Sequence, residues 1–130
     1  AERFSAKKVK ESLAAGKVAI LGAGTGHPFF TTDTTAALRA LEIGADIMVK
    51  ATKVDGIYDK DPVKYKDAFK FDEITYSEVL KRKLQVMDLT AVSLSMDNNL
   101  PILVLDMNKK GNIKRAVLGE KIGTIVIPDK

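Results

Sequence analysis

The sequence has no cysteine and no tryptophan, and only three tyrosines and five phenylalanines occur among its 130 residues. Without cysteine there are no disulfides, no zinc–thiolate sites and no cysteine nucleophile, and a reducing cytoplasm is the expected location. Apolar runs are far shorter than a bilayer requires, and the first residues lack the pattern of a signal peptide. We therefore expect a cytoplasmic protein with no membrane partner.

Positive charge is in small excess, with 21 Lys and Arg against 17 Asp and Glu. Residues 107–121 account for this excess, because they carry five basic side chains and one acidic one. The rest of the chain is mixed in sign and offers few aromatic rings for stacking on bases, so we expect no nucleic-acid partner. The composition, with 45% hydrophobic and 29% charged residues, is typical of one globular domain, here residues 1–130.

Short apolar runs alternate with amphipathic patterns along the chain. Helical spacing predicts helices over residues 4–15, 32–43, 89–96 and 113–118, and a capping box at residues 75–78 predicts another. Residues 55–72 do not fit the alternation and predict a long loop with a small hairpin. Together these patterns predict an α/β fold, a three-layer αβα sandwich with a mainly parallel sheet. The predicted buried strands are Lys17–Leu21, Asp46–Val49, Pro101–Leu105 and Thr124–Ile127.

A glycine-rich segment, residues 22–33, follows the first predicted strand and leads into a predicted helix. Glycine allows the backbone to approach a ligand closely, and the free N–H groups at a helix start favour an anion. The spacing matches neither the dinucleotide fingerprint nor the P-loop. The segment is therefore either a phosphate site or a tight turn capped by Thr31 or Thr32. Asp33 is either a carboxylate that complements the helix dipole or a magnesium ligand.

A second polar segment, Lys50–Pro62, follows the next predicted strand and contains aspartates, lysines and a tyrosine. It lies at the carboxyl end of a predicted parallel strand, the edge where α/β folds bind ligands. It therefore predicts either a site for a nucleotide and its magnesium or a solvated turn. Asp88 is expected to cap the helix that follows it. The single histidine, His27, has no nucleophile elbow near it, which argues against a Ser-His-Asp hydrolase.

Five segments, taken together and in this order, resemble the C-terminal half of the bacterial uridylate (UMP) kinases of the amino acid kinase superfamily. The resemblance implies the same α/β fold and the transfer of a phosphoryl group from ATP to UMP, with Mg²⁺ accompanying ATP. It also implies a homo-oligomer, a hexamer, in which a missing N-terminal half completes the protein. The five segments are Gly24–Asp33, Lys50–Pro62, Thr75–Val79, Lys83–Asp88 and Gly119–Thr124.

The resemblance also implies roles for individual residues. Asp33 and Asp88 match acidic positions near the transferring phosphoryl group, and no protein metal site is implied. His27 departs from the family, where asparagine is frequent at this position. The residues that match ATP contacts are Thr52, Lys53, Asp55, Tyr58 and Asp61. The residues that match the loop around UMP are Thr25, Gly26, His27, Pro28, Phe29, Phe30, Thr31 and Thr32.

Nothing in the sequence resembles the N-terminal half of these kinases, so we expect a chain that begins partway through a fold. The main functional hypothesis is that the chain supplies the ATP-binding part and one UMP-binding loop of a UMP kinase in pyrimidine nucleotide biosynthesis. Alone, it is expected to have little or no activity, because half of the phosphate-binding groups are missing. The alternatives are a non-catalytic nucleotide-binding fragment and an assembly module that pairs with the missing half or with another copy.

Overall fold

A four-stranded sheet, flanked by helices, organises the structure, which is a computed structural model describing residues 2–129. The predicted domain, residues 1–130, extends one residue beyond this range at each end. None of the helices between residues 2 and 129 is both long and apolar enough to cross a membrane. The strands are β1 (Met48–Thr52), β2 (Glu73–Thr75), β3 (Ile102–Asp106) and β4 (Thr124–Ile127). The helices are α1 (Ala6–Ala14), α2 (Thr32–Ile43), α3 (Tyr76–Lys81), α4 (Leu89–Asp97) and α5 (Asn112–Val117).

The sheet is mostly parallel, with the strand order β1-β3-β4-β2. β1 pairs with β3 and β2 pairs with β4 in parallel, whereas β3 and β4 run antiparallel. Thr52 lies opposite Asp106 in the β1–β3 ladder, so the carboxyl ends of these two strands share one edge. The predicted α/β fold with a mainly parallel sheet and flanking helices is confirmed.

Polar caps and glycines set the helix ends close to where the sequence predicts them. Thr31 caps α2 by accepting a hydrogen bond from the Thr34 N–H at 3.2 Å. The same helix ends at Gly44, whose φ of 72° lies in the left-handed region. Thr75 caps α3 by accepting a hydrogen bond from the Glu78 N–H at 3.3 Å. The Glu78 carboxylate is turned to the Arg82 Nε, at 2.6 Å, so only half of the predicted capping box forms.

The predicted strand at residues 17–21 is wrong. These residues join no ladder within residues 2–129, and Val18 and Ile20 are 90% and 94% exposed. An apolar run becomes a strand only when a neighbouring strand supplies partners for its N–H and C=O groups, and tertiary context decides whether one does. Two smaller corrections concern the other strands. The strand predicted at Asp46–Val49 begins and ends later, as β1, and the short strand β2 was not predicted.

The core lies on the face of the sheet that alternate residues of β3 and β4 share. Ile102, Val104 and Val126 on this face are buried, and they join one apolar cluster with residues of α2 and α4. Tyr76 at the start of α3 is also fully buried, and its hydroxyl donates a hydrogen bond to the Leu100 carbonyl at 2.5 Å. Burial raises the pKa of Tyr76 to about 12, so this hydroxyl stays protonated and keeps its bond.

Residues 55–72 form the predicted long loop with a small hairpin. Tyr58 and Lys70 make an antiparallel bridge, and the Phe71 N–H donates to the Ile57 carbonyl at 2.9 Å. The Thr124 hydroxyl fixes this loop to β4, because it accepts a hydrogen bond from the Ile57 N–H at 2.8 Å and donates one to the Phe71 carbonyl. The second polar segment of the sequence is therefore anchored on the sheet.

Gly123, directly before β4, allows two segments of backbone to approach closely. Its φ is 73°, and a Cβ on this residue would lie 2.1 Å from the Val104 carbonyl oxygen. No side chain fits at that distance, so glycine is required for β4 to reach its position beside β3. The glycine thus sets the position of Thr124 and, through it, that of the loop.

We expect Ile102→Ala to lower the free energy of unfolding by about 3 kcal/mol, because it leaves a cavity in the core. Ile20→Ala is the matched control, since Ile20 lies almost wholly in solvent. The control should change the free energy of unfolding by less than about 0.5 kcal/mol. Urea unfolding monitored by circular dichroism measures both values. Equal destabilisation by the two substitutions would contradict the described packing.

Candidate functional site

The glycine loop, residues 22–30, leads directly into the cap of α2. Four of its residues have positive φ, namely Ala23 at 66°, Gly24 at 64°, Gly26 at 79° and Phe29 at 69°. Alanine and phenylalanine rarely adopt this conformation, and it costs on the order of 1–3 kcal/mol at each such residue. Strain of this kind is concentrated at binding sites. The loop is therefore shaped for more than connecting two elements.

The predicted UMP residues lie on both sides of the cap of α2. Thr25 Oγ1 accepts a hydrogen bond from the His27 N–H at 3.1 Å, which tightens the turn. The side chain of Phe29 is fully exposed and that of Phe30 is half exposed, so two aromatic rings face solvent beside the loop. With α1 and residues 19–21, the loop lines an open cleft of about 960 Å³.

Asp88 connects the first turns of α2 and α4. Its carboxylate caps α4 by accepting from the Ala91 N–H at 3.0 Å. The same carboxylate accepts hydrogen bonds from the hydroxyls of Thr34, at 3.0 Å, and Thr31. Partial burial acts to raise the pKa of Asp88, but the hydrogen bonds from Thr31, Ala91 and Thr34 together hold it below its usual 3.8. Asp88 is thus an ionised cap that also fixes the end of the glycine loop.

Asp33, in the first turn of α2, forms an ion pair with Lys50 of β1. The Lys50 Nζ lies 2.5 Å from the Asp33 Oδ2, and the two side chains are 25% and 27% exposed. The pair joins the helix that follows the glycine loop to the strand that precedes the second polar segment. The two segments that the sequence singled out are therefore physically connected.

The acidic loop, residues 53–62, forms one wall of a cavity of about 520 Å³ at the carboxyl end of β1. Of the predicted ATP contacts, Thr52, Tyr58 and Asp61 line this cavity, whereas Lys53 and Asp55 lie outside its lining. The Tyr58 hydroxyl donates a hydrogen bond to Asp55 at 2.8 Å, and this bond raises the pKa of Tyr58. Residues 82–86 form the opposite wall and supply two further cations.

No group of three or more acidic or histidine side chains within residues 2–129 is placed to hold a metal ion. A magnesium ion carried by a nucleotide needs fewer protein ligands, because phosphate oxygens and water supply most of its ligands. The protein adds one or two carboxylates. Asp61 fits this requirement, since it lines the cavity. The residues present thus fit a magnesium ion that is carried by a nucleotide.

The sequence includes Lys50 in the second polar segment and residues 83–86 in a segment that resembles the kinases, but it predicts no individual role for these residues or for Thr34 and Arg82. Lys50 shares a strand face with Thr52 because side chains two residues apart point the same way, and this spacing was the available signal. The contact of Thr34 with Asp88 joins positions 54 residues apart. No local pattern indicates such a contact.

We expect Asp88→Ala to lower the free energy of unfolding at pH 7 by about 1–2 kcal/mol, because the helix cap is lost. The folded pKa of Asp88 lies below 3.8, so the contribution of the carboxylate is present above about pH 4 and is lost as the pH falls through the folded pKa. The difference from the wild type should therefore shrink below about pH 4.

Asp97→Ala, at the other end of α4, is the matched control for this substitution. It should change the free energy of unfolding at pH 7 by less than about 0.5 kcal/mol. Urea unfolding at a series of pH values measures both differences. A constant Asp88→Ala difference from pH 7 to pH 3 would contradict the role of the charged carboxylate.

Comparison with solved structures gives matches along the whole chain. The UMP kinase from Bacillus anthracis is 35% identical with a TM-score of 0.95, and the match covers 100% of this chain and 54% of that one. The UMP kinase from Ureaplasma parvum is 38% identical with a TM-score of 0.89, covering 95% of this chain and 53% of that one. The uridylate kinase from Archaeoglobus fulgidus is 36% identical with a TM-score of 0.65, and the match covers 77% of this chain and 48% of that one.

The chain thus spans about half the length of the structures that it matches. Residues 1–106, which extend from α1 to the end of β3, match the amino acid kinase family. The glycine loop, Lys50 and Asp88 all lie within the matched residues. On these grounds the chain belongs to the amino acid kinase family.

Proposed function

We propose that this chain supplies the ATP-binding part and one UMP-binding loop of a kinase that converts UMP to UDP. One observation carries the proposal: the Asp33–Lys50 ion pair joins the helix that follows the glycine loop to the strand that precedes the acidic loop. A phosphoryl-transfer enzyme needs two nucleotide sites that face each other, because donor and acceptor phosphates must lie in line. The matched structures are named as UMP or uridylate kinases, which supports this choice of substrates.

UMP would bind at the glycine loop, through Thr25 to Thr32. Its phosphate fits the N-terminal end of α2, where unpaired backbone N–H groups and the helix dipole favour a dianion. The exposed rings of Phe29 and Phe30 offer faces on which a pyrimidine can stack. Thr31 has its hydroxyl committed to Asp88, whereas Thr32 follows it as the first residue of α2. We therefore assign phosphate contact to Thr32.

ATP would bind in the acidic-loop cavity, whose volume of about 520 Å³ lies within the usual range for small-molecule sites. Thr52, Tyr58 and Asp61 line this cavity and would contact the nucleotide. Lys53 and Asp55 belong to the same proposed site, and Asp55 acts through its hydrogen bond with Tyr58. Magnesium, when bound with ATP, would neutralise phosphate charge beside Asp61.

Catalysis in this proposal depends on positioning and fixed charge, and no covalent intermediate is needed. Asp88 fixes the end of the glycine loop through Thr31 and Thr34, so that the acceptor phosphate is held in one place. Asp33 holds a cation at the junction of the two loops. A homo-oligomer, as the family resemblance implies, remains part of the proposal.

A non-catalytic nucleotide-binding or assembly module is the second candidate function. The observation that favours it is the exposed apolar segment at residues 17–21, next to the open cleft beside the glycine loop. Such a face suits contact with further polypeptide, and the chain spans only about half of the kinases it matches.

We expect Thr32→Ala to raise the dissociation constant for UMP by about fivefold to tenfold, since one hydrogen bond to a charged phosphate is lost. The dissociation constant for Mg·ATP should change by less than about twofold, because Thr32 lies outside the ATP cavity. Thr90→Ala, in the first turn of α4, is the matched control and should affect neither. Titration calorimetry of the chain with each nucleotide measures these constants. Equal weakening of UMP and ATP binding would contradict the assignment of the two loops.

The chain alone should release ADP from ATP, UMP and magnesium at least a hundredfold more slowly than the roughly 10 per second that is typical of enzymes. The reason is that each missing fixed donor at the transition state commonly costs about a hundredfold in rate. A coupled assay for ADP, with and without UMP, measures this rate. UMP-dependent turnover near 10 per second would show that the chain is catalytically self-sufficient.

A further inference from the structure

Lys50 has a position that no other lysine near the acidic loop shares. Met48, Lys50 and Thr52 alternate along β1 and so share one face of the strand, and Met48 is buried in the core. Lys50, in the middle of the strand, lies on this face between buried Met48 and Thr52, and its side chain is only partly exposed. Its ammonium reaches Asp33 on α2, at 2.5 Å, and Lys50 also lines the acidic-loop cavity.

Neighbouring lysines are held within the loop itself. The Lys60 Nζ lies 2.6 Å from Asp67, and the Lys64 Nζ lies 3.7 Å from Asp61. Both partners belong to residues 55–72, so these two ion pairs stay within one stretch of chain, although Lys60 also lines the cavity. Lys50 instead bridges from the sheet to the helix that follows the glycine loop. It carries positive charge to the place where the two proposed nucleotide sites meet.

Fold stability gives little reason for this ion pair. A partly exposed pair contributes little to stability, because ordering of two side chains offsets much of the attraction. A cation held at a fixed point is worth far more to a reaction in which negative charge moves between two phosphates. Asp33 orders the ammonium before any nucleotide arrives, which lowers the reorganisation needed in the transition state.

We propose that Lys50 is a catalytic residue whose ammonium binds the terminal phosphate of ATP, and that Asp33 is the positioning residue that holds this ammonium between the two loops. The inference rests on the proposed function. In the transfer, the bond between the terminal phosphorus and the bridging oxygen of ADP breaks. A bond forms from that phosphorus to a phosphate oxygen of the nucleoside monophosphate. Lys50 neutralises charge on the transferring group.

The test compares the affinities of the chain for Mg·ATP and Mg·ADP, which differ by the terminal phosphate. Lys50→Gln should weaken Mg·ATP binding by about tenfold, as expected for a charge-assisted hydrogen bond, and Mg·ADP binding by less than about twofold. Lys50→Arg should restore most of the ATP affinity, because the cation is kept. Lys66→Gln, an exposed lysine outside the cavity lining, is the matched control and should leave both affinities unchanged.

Asp33→Asn provides a second variant that keeps Lys50 but frees its ammonium. It should weaken Mg·ATP binding by about threefold while Mg·ADP binding is unchanged, since the cation is present but no longer held. This variant decides the question if Lys50→Gln does not fold, as judged by circular dichroism. The ratio of the affinities for Mg·ATP and Mg·ADP distinguishes a positioning role from a merely structural one. Loss of a merely structural residue would weaken the binding of both nucleotides alike.

Each outcome of this experiment decides for or against the inference. Selective loss of ATP affinity in Lys50→Gln or Asp33→Asn supports it. Equal loss of ATP and ADP affinity, or no loss in either variant, overturns it and leaves the proposed function standing. Failure of the wild-type chain to bind Mg·ATP, Mg·ADP or UMP overturns the proposed function and this inference together.

Discussion

The Asp88 carboxylate is the contact on which the arrangement of the site depends. It accepts hydrogen bonds from the Ala91 N–H and from the hydroxyls of Thr31 and Thr34, so two helices begin at one charged group. These hydrogen bonds keep the pKa of the carboxyl low despite its partial burial, and the group is therefore ionised at neutral pH. Because Thr31 is also the cap of α2, the end of the glycine loop cannot move without disturbing α4. A loop with two strained residues, Ala23 and Phe29, is held at its end by this contact.

The sheet provides the second constraint, because it sets where the other loop begins. Parallel pairing of β1 with β3 places Thr52 beside Asp106 at one edge, and the Met107 N–H donates to the Thr52 carbonyl at 2.8 Å. Across the sheet, Thr124 of β4 binds both strands of the small hairpin through Ile57 and Phe71. The chain is thus fixed at Thr52, at Ile57 within the acidic loop and at Phe71 beyond it, while Tyr58, Asp59, Lys60 and Asp61 line the cavity. Rigid elements position the loops, and the loops carry the chemistry.

Local signals in the sequence were enough to predict the helices and the two loops. The caps at Thr31, Thr75 and Asp88 lie where short-range hydrogen-bonding rules place them, because a cap depends on only a few neighbouring residues. Residues 17–21 show where such rules fail, since an apolar run does not state whether a partner strand lies beside it. Lys50 was overlooked for a related reason. Its partner, Asp33, is 17 residues away and belongs to another element, so the pair exists only once the chain has folded.

The central claim is that two nucleotide sites meet at one edge of the sheet. Chemical-shift mapping with a ¹⁵N-labelled chain tests this claim most directly. UMP should shift the backbone amide signals of residues 25–32, and a non-hydrolysable Mg·ATP analogue should shift those of residues 52–61 and 82–86. Both ligands should shift Asp33 and Lys50, which lie between the two sets. Shifts of one common set of amides by both nucleotides, or shifts confined to residues outside the two loops, would contradict the account.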